Sequence, residues 1–289
     1  MALNVGLQLY SVRESLQQDP DGTLEAVAKT GYRYLEAANH NATDDPGVGL
    51  GLSAQEMKRR LDDLGLTIVG CHVHPWQSES LKSVLDYHQE VGNSRIGCSM
   101  AFFPYGDLDS VRRTADAFNQ AGELCKSRGM QFYYHNHFQE FQFFGGKSVY
   151  DILMEDTDPE LVLLEMDTYW MFRGGQDPRA LMEQYQDRLI LLHQKDFPKD
   201  AAQPLVMYDG LVDIEQNITM DTFITTVNPQ GFTEIGTGIL PIQDIINTGL
   251  QAPKLDYIIL EQDHSTLGEL ESIKVSMDAF RKFSGIAMG

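Results

Sequence analysis

The chain is poor in several things, and each shortage removes a class of protein. Positive charge is scarce: 22 Lys and Arg stand against 42 Asp and Glu, a formal charge of −20. That balance repels phosphate backbones and anionic membrane surfaces, so neither nucleic acid nor a membrane is an expected partner. Cysteine is scarce as well. Cys71, Cys98 and Cys125 are an odd number at wide, irregular spacing. They form no zinc-type pair, and free thiols in a cytoplasmic protein are the expectation. Cys71 and Cys98 fall in apolar runs, where cysteine acts as a small core residue. No apolar run approaches the ~20 residues of a membrane span. MALNVGLQLYSVRE enters a strand pattern at once, without the basic region of a signal peptide. Finally, no GxGxxG follows the first strand, which argues against a dinucleotide fold.

What is present is an alternation. The 289 residues, 42% of them hydrophobic, suit one barrel of about 250 residues with a modest insertion. Short apolar runs predict strands over 5–10, 32–36, 66–74, 95–100, 130–135, 161–167, 189–193 and 256–261, with amphipathic helices between them. Ser53 and Glu56 read as a capping box for the second of these helices, and Gly65 as its C-terminal glycine. After the seventh strand the rhythm breaks. Residues 196–241 are rich in turn formers and read as a long active-site loop with a short helix near 220–227. The expected fold is α/β: a (β/α)8 TIM barrel, one domain over 1–289, with an extended loop after strand seven.

Strand ends carry the chemistry. Glu36, His72 with His74, His135 with His137, Asp167, His193, and Glu261 with Asp263 and His264 all stand where strands finish. Six of the eight histidines are among them. In a barrel these ends share the face on which active sites are built. A polar residue at any one strand end is commonly just solvated, and His72 or His137 alone says little. Asp167, His193 and Glu261 say more, because each closes a buried apolar run and the three must converge. Mixed carboxylate and imidazole donors suit one divalent ion of the Mn, Zn, Co or Fe type, whereas Mg or Ca would favour oxygen alone.

Seven strings, GLQLYSVRE, GYRYLEAA, YHNHFQEF, MDTYW, LLHQKDF, EIGTGILP and LEQDHS, together resemble the sugar phosphate isomerase/epimerase family of xylose-isomerase-like barrels, nearly end to end. The resemblance implies a metal site of Glu, Asp, His and Glu from strands five to eight. The last three fall on Asp167, His193 and Glu261; the first falls on His135, a departure. In related ketose epimerases that glutamate pairs with the strand-eight glutamate as bases on two faces of the substrate. Here the pair is incomplete unless Glu140 reaches in.

The implied activity is sugar or sugar phosphate isomerisation or epimerisation, by proton transfer through a metal-stabilised enediolate. Glu261 would move the proton, with His74 or His135 serving the opposite face. Lys195 would neutralise a substrate oxygen or phosphate, or else pair with Asp196 or Glu261. Trp170, His137, His72 and Glu140 are the expected substrate-binding residues. For the aromatics Tyr10, Trp76, Phe102 and Phe103, lining and core are both open. The same site would run β-elimination in an inosose dehydratase-like enzyme or sugar lyase, which is the second reading. A metal-dependent nuclease, disfavoured by the charge, and a non-catalytic sugar-binding barrel are the others. The GTG at 236–238 reads as a tight turn or, less favoured, a phosphate-binding one. Barrels of this kind are often dimers or tetramers, which leaves a homo-oligomer open.

Overall fold

A closed ring of eight parallel strands forms the centre of the molecule. The computed structural model describes residues 2–287, with the side chains of residues 78–80 outside the description. The barrel strands are β1 (Leu3–Gln8), β2 (Tyr34–Asn39), β3 (Thr67–Val73), β4 (Arg95–Cys98), β5 (Gln131–His135), β6 (Val162–Asp167), β7 (Leu189–Gln194) and β8 (Tyr257–Leu260). Each pairs with its successor, and β8 pairs back onto β1 with Asn4 beside Tyr257 and Leu7 beside Leu260. Closure leaves the ring without a free edge. A last short strand, Ile286–Ala287, adds onto β1 below the ring. Among the described residues no helix is long and apolar enough to cross a membrane.

Helices separate the strands, and local signals set their ends. The capping box forms as expected: Ser53 accepts from the Glu56 amide, and Glu56 reaches back to the Ser53 backbone, starting the helix Ala54–Leu64. Gly65 closes it in the left-handed conformation, at φ 64°. Two six-residue helices, Arg13–Gln18 and Thr168–Arg173, were not anticipated. The main apolar core lies between the strands and this helical layer; Cys71, Cys98 and Cys125 are buried in it as free thiols.

The barrel lumen holds a second, much smaller core of Tyr133, Leu163, Ile190 and Leu191. Room for it comes from glycine. A Cβ on Gly97 would lie 2.2 Å from the Tyr133 ring, so only glycine lets that ring cross the lumen. Its hydroxyl then donates to the Glu36 carboxylate. Strand register slips at two places, Leu35/Glu36 between β2 and β3 and Leu164/Glu165 between β6 and β7. Both slips sit at a residue that sends a carboxylate inward, which is how such irregularities re-aim side chains.

The loop over 196–241 is ordered by two buried charges. Asp196 accepts the backbone amides of Phe197, Gly236, Gly238 and Leu240 at 2.9–3.1 Å. The amides of the GTG turn are thereby taken by a carboxylate of the chain itself, so the turn reading stands and the phosphate-binding reading does not. Arg173 donates to the Pro204 carbonyl and to the Met207 sulfur, pinning the loop's first half. Its helix, Met220–Thr226, rests on the barrel mouth.

Candidate active site

Above the apolar plug, the lumen carries a layer of buried charge. Glu36, His72, Glu165 and His193 face one another, each at most 3% exposed. His193 Nε2 lies against Glu36 Oε2 and 3.0 Å from Glu165 Oε1. His72 Nε2 is 2.6 Å from Glu165 Oε2 and 3.3 Å from Glu36 Oε1. Gln8 donates to Glu36 at 2.8 Å. Two imidazoles and two carboxylates therefore close a ring in which each buried charge has a partner, as burial requires. Burial opposes a charge on His193, but Glu165, Glu36 and Glu261 outweigh it and hold that imidazole well above its ordinary range. His72 is raised for the same reason, against its own burial, by Glu36 and Glu165.

A second group sits nearer the mouth and shares His193. His135, Asp167, His193 and Glu261 bring one donor atom each within 4.8 Å of all the others. Asp167 caps the unanticipated helix, its Oδ1 accepting from the Trp170 amide at 2.8 Å; its Oδ2 is left to face the group. Asn136 braces the position by bonding the Asp167 backbone at 3.1 and 3.2 Å. His193 Nδ1 is 3.0 Å from Glu261 Oε2. Lys195, fully buried, donates to both Asp167 Oδ2 and Glu261 Oε2. Burial would raise both carboxyls, yet Lys195 with its imidazole neighbours holds Asp167 below and Glu261 well below the carboxylate range.

His135 decides whether this group suits a metal ion. Its Nδ1 faces the Ser99 carbonyl at 3.2 Å, and a carbonyl only accepts, so Nδ1 carries the hydrogen. Nε2 is buried and without a hydrogen-bond partner, 3.4 Å from Asp167 Oδ2. A buried polar atom left unpartnered beside a carboxylate is a place for an ion to bind. An imidazole fixed through its other nitrogen is also the usual posture of a metal-binding histidine. The donors fit a divalent ion of the borderline type.

Other anticipated residues fall in different places. Trp170, expected to line the site, is 1% exposed; its ring stands 5.8 Å from the Lys195 ammonium and packs on His137 and Phe223. It is both core and wall. His137 lies in the same aromatic box, 4.8 Å from the His135 ring, with its pKa well below the ordinary value through burial and the charges of His135 and Lys195. His72 belongs to the deeper ring rather than the mouth. His74 is exposed and joins neither group.

Glu140 does not reach in: it bonds the Tyr134 hydroxyl and the His137 amide, on the outer side of β5. The reason is strand alternation, since Tyr133 and His135 face the lumen and Tyr134 faces the helices. Lys195 pairs with Glu261, one of its two expected partners, and with Asp167, while Asp196 turns to the loop. Of the other aromatics, Trp76 packs in the core on Phe118 and Phe132 and Phe103 is buried with them, while Phe102 is partly buried at its margin.

Glu165 and Gln8 were missed. A signal for Glu165 was available: Glu165/Asp167 repeats the two-residue spacing of His72/His74, His135/His137, His193/Lys195 and Glu261/Asp263. Residues two apart on a strand share a face. A cavity of about 540 Å3 opens at the ends of β1 and β2, lined by Tyr10, Arg13, His40 and Asn41 among others but by none of the four residues of the group. Two of its lining residues, Tyr10 and His40, lie within electrostatic reach of Glu261.

Fold and site together define a (β/α)8 barrel with a buried histidine–carboxylate cluster at its C-terminal mouth. The family model described as xylose isomerase-like TIM barrel matches residues 24–283. The chain belongs to that family. Among curated relatives, the inosose dehydratase of Geobacillus kaustophilus is 32% identical over 263 residues, covering 84% of this chain and 80% of the relative. Matches to further inosose dehydratases are shorter, spanning from 33% to 49% of those relatives. Among solved structures, a sugar phosphate isomerase/epimerase from Parabacteroides distasonis superposes with a TM-score of 0.74 at 23% identity, covering 99% of this chain and 96% of that one. The IOLI protein with a bound zinc atom superposes with a TM-score of 0.66 at 12% identity, over 98% of this chain and all of that one.

Proposed function

We propose that this protein is a dehydratase of the inosose dehydratase type, removing water from a small polyhydroxylated ketone at the mouth of the barrel. The observation that carries the reading is the buried His135, Asp167, His193 and Glu261 group with Lys195 inside it, in a chain 32% identical over 84% of its length to an inosose dehydratase. The isomerase/epimerase reading expected from the sequence becomes the second choice. Its name occurs among structural neighbours below 25% identity, and His135 replaces one of the two carboxylates that a two-faced proton exchange would use.

A divalent ion of the Mn, Zn, Co or Fe class would be held by His135, Asp167, His193 and Glu261, and when bound would polarise the ketone. The chain's own residues supply the rest. Glu261, the least buried of the four at 8% exposed, takes the proton from the carbon next to the carbonyl. Lys195, held beside Glu261, lends a proton to the departing hydroxyl, so hydroxide leaves as water. Trp170, His137 and Phe223 cover the site and keep bulk water from it. Glu36 and Glu165 keep His193 oriented through its far nitrogen.

The test is incubation with an inosose in D2O, followed by NMR and mass spectrometry. Loss of one water with an unsaturated or deoxy product supports dehydration. Deuterium entering the substrate without loss of water would instead establish epimerisation or isomerisation.

A further inference from the structure

Asp167 offers this site only one oxygen. Its Oδ1 is committed to the Trp170 amide at 2.8 Å, which starts the helix Thr168–Arg173. Oδ2 is the atom that faces His135 Nε2, and it is also the atom that Lys195 holds. The same ammonium holds Glu261 Oε2, the oxygen turned to His193 Nδ1. An ammonium and a divalent ion would therefore compete for Asp167 Oδ2 and for the His193 side of Glu261, inside a site too dry to screen one cation from the other.

We propose that Lys195 is a tethered counter-cation, seated between Asp167 and Glu261 until a divalent ion displaces it. Lys195 thus keeps two buried carboxylates compensated in the metal-free protein and lowers the affinity of the site for metal. Asp263, two residues beyond Glu261, lies within electrostatic reach of the same ammonium. The inference rests on the divalent-ion reading above.

The experiment compares Zn2+ binding by wild type and Lys195→Met with titration calorimetry. The expected result is tighter binding by the variant, by about tenfold or more, together with a lower melting temperature of its metal-free form. Because the variant leaves two buried carboxylates unpaired and can fail to fold, wild type labelled with 15N-lysine gives an independent readout. Its buried, slowly exchanging ammonium signal should shift and broaden as Zn2+ is added, in proportion to site occupancy. Equal or weaker binding by a folded variant, or a buried ammonium signal that Zn2+ leaves in place, overturns the tethered-cation proposal while the metal reading stands. If neither protein binds Zn2+, the metal reading falls and this inference falls with it.

Discussion

The two layers of charge in the lumen use the same residue types and are built to opposite ends. In the deeper ring, Glu36 and Glu165 take up both imidazoles, and Gln8 and Tyr133 donate further hydrogen bonds to Glu36. In the layer at the mouth, His135 Nε2 has no hydrogen-bond partner, and the buried Lys195 ammonium holds the two carboxylates. His193 belongs to both, through Nε2 below and Nδ1 above. Both groups are close enough to hold an ion, and each keeps one buried polar atom without a hydrogen-bond partner, Glu165 Oε1 below and His135 Nε2 above. What separates them is the counter-charge: two imidazoles answer the carboxylates below, whereas a lysine ammonium answers them above.

The widest separation between the layers should come from Glu261→Gln. The amide is close in size and keeps one accepting oxygen, but it cannot take a proton. Turnover is expected to fall by roughly 10²–10⁴-fold, read by steady-state kinetics. The melting temperature, read from a denaturation curve, should fall as well because Lys195 and His193 lose a buried charged partner. A variant that kept full turnover would place the base elsewhere and end the role given to the mouth layer.

In the deeper ring a loss of stability is expected without a matching loss of turnover. Glu165→Gln removes one of the negative charges that hold His72 and His193 in a buried site. Breaking such a pair costs about 3–5 kcal/mol, measured by urea unfolding of the chelator-treated protein. If that loss does not appear, the ring is less charged than its contacts imply. Activity should fall less than in Glu261→Gln.

These two expectations also mark what the sequence disclosed. The barrel was legible because apolar runs alternate with capped amphipathic segments, and the mouth trio was legible because Asp167, His193 and Glu261 each interrupt such a run at its end. Glu165 was hidden inside LVLLEMD, where one charge in a buried strand looks like noise until paired with Asp167. Glu36 was taken for a strand end because its charge breaks the apolar run, yet β2 continues to Asn39. Glu140 was placed by proximity in sequence to His135 and His137, which ignores the turn Gln139–Phe141 that carries it outward. The helix Thr168–Arg173 depends on a cap from Asp167, itself fixed by tertiary contacts. None of these is a propensity that a local window contains.

A more graded difference between the layers is their response to pH in metal-free protein. His72 and His193 have folded values raised above the imidazole reference. Their contribution is therefore fully present below about pH 6.5 and is lost as pH rises through the folded values. Asp167 and Glu261 are depressed, so theirs is present above about pH 4 and is lost as pH falls. The melting temperature should pass through a maximum in mildly acidic solution and decline on the alkaline side. Glu36→Gln should flatten the alkaline limb, because it removes one of the charges that raises both imidazoles. A flat limb in wild type would mean that the two imidazoles are neutral.

The smallest effect is expected at Glu140, the carboxylate that lies outside both layers. Burial pushes its pKa up to about 7, against the hydrogen bonds from Tyr134 and His137 that favour the charged form. The folded protein thus binds this proton more tightly than the unfolded chain, and stability falls as pH rises from about 4.3 toward 7. Glu140→Gln removes that slope, since its amide stays neutral while keeping an oxygen for the Tyr134 hydroxyl or the His137 amide. The variant should gain on wild type between pH 5 and pH 8, by melting temperature, with turnover within about threefold. The two readouts separate two models. If Glu140 reached the lumen and completed the missing carboxylate pair, turnover would collapse as in Glu261→Gln. If it serves only to tie the turn after β5 to the Tyr134 side of the barrel, the pH slope changes and catalysis does not. The hydrogen bond from the His137 amide at 2.9 Å, made on the face opposite the His135 ring, favours the second.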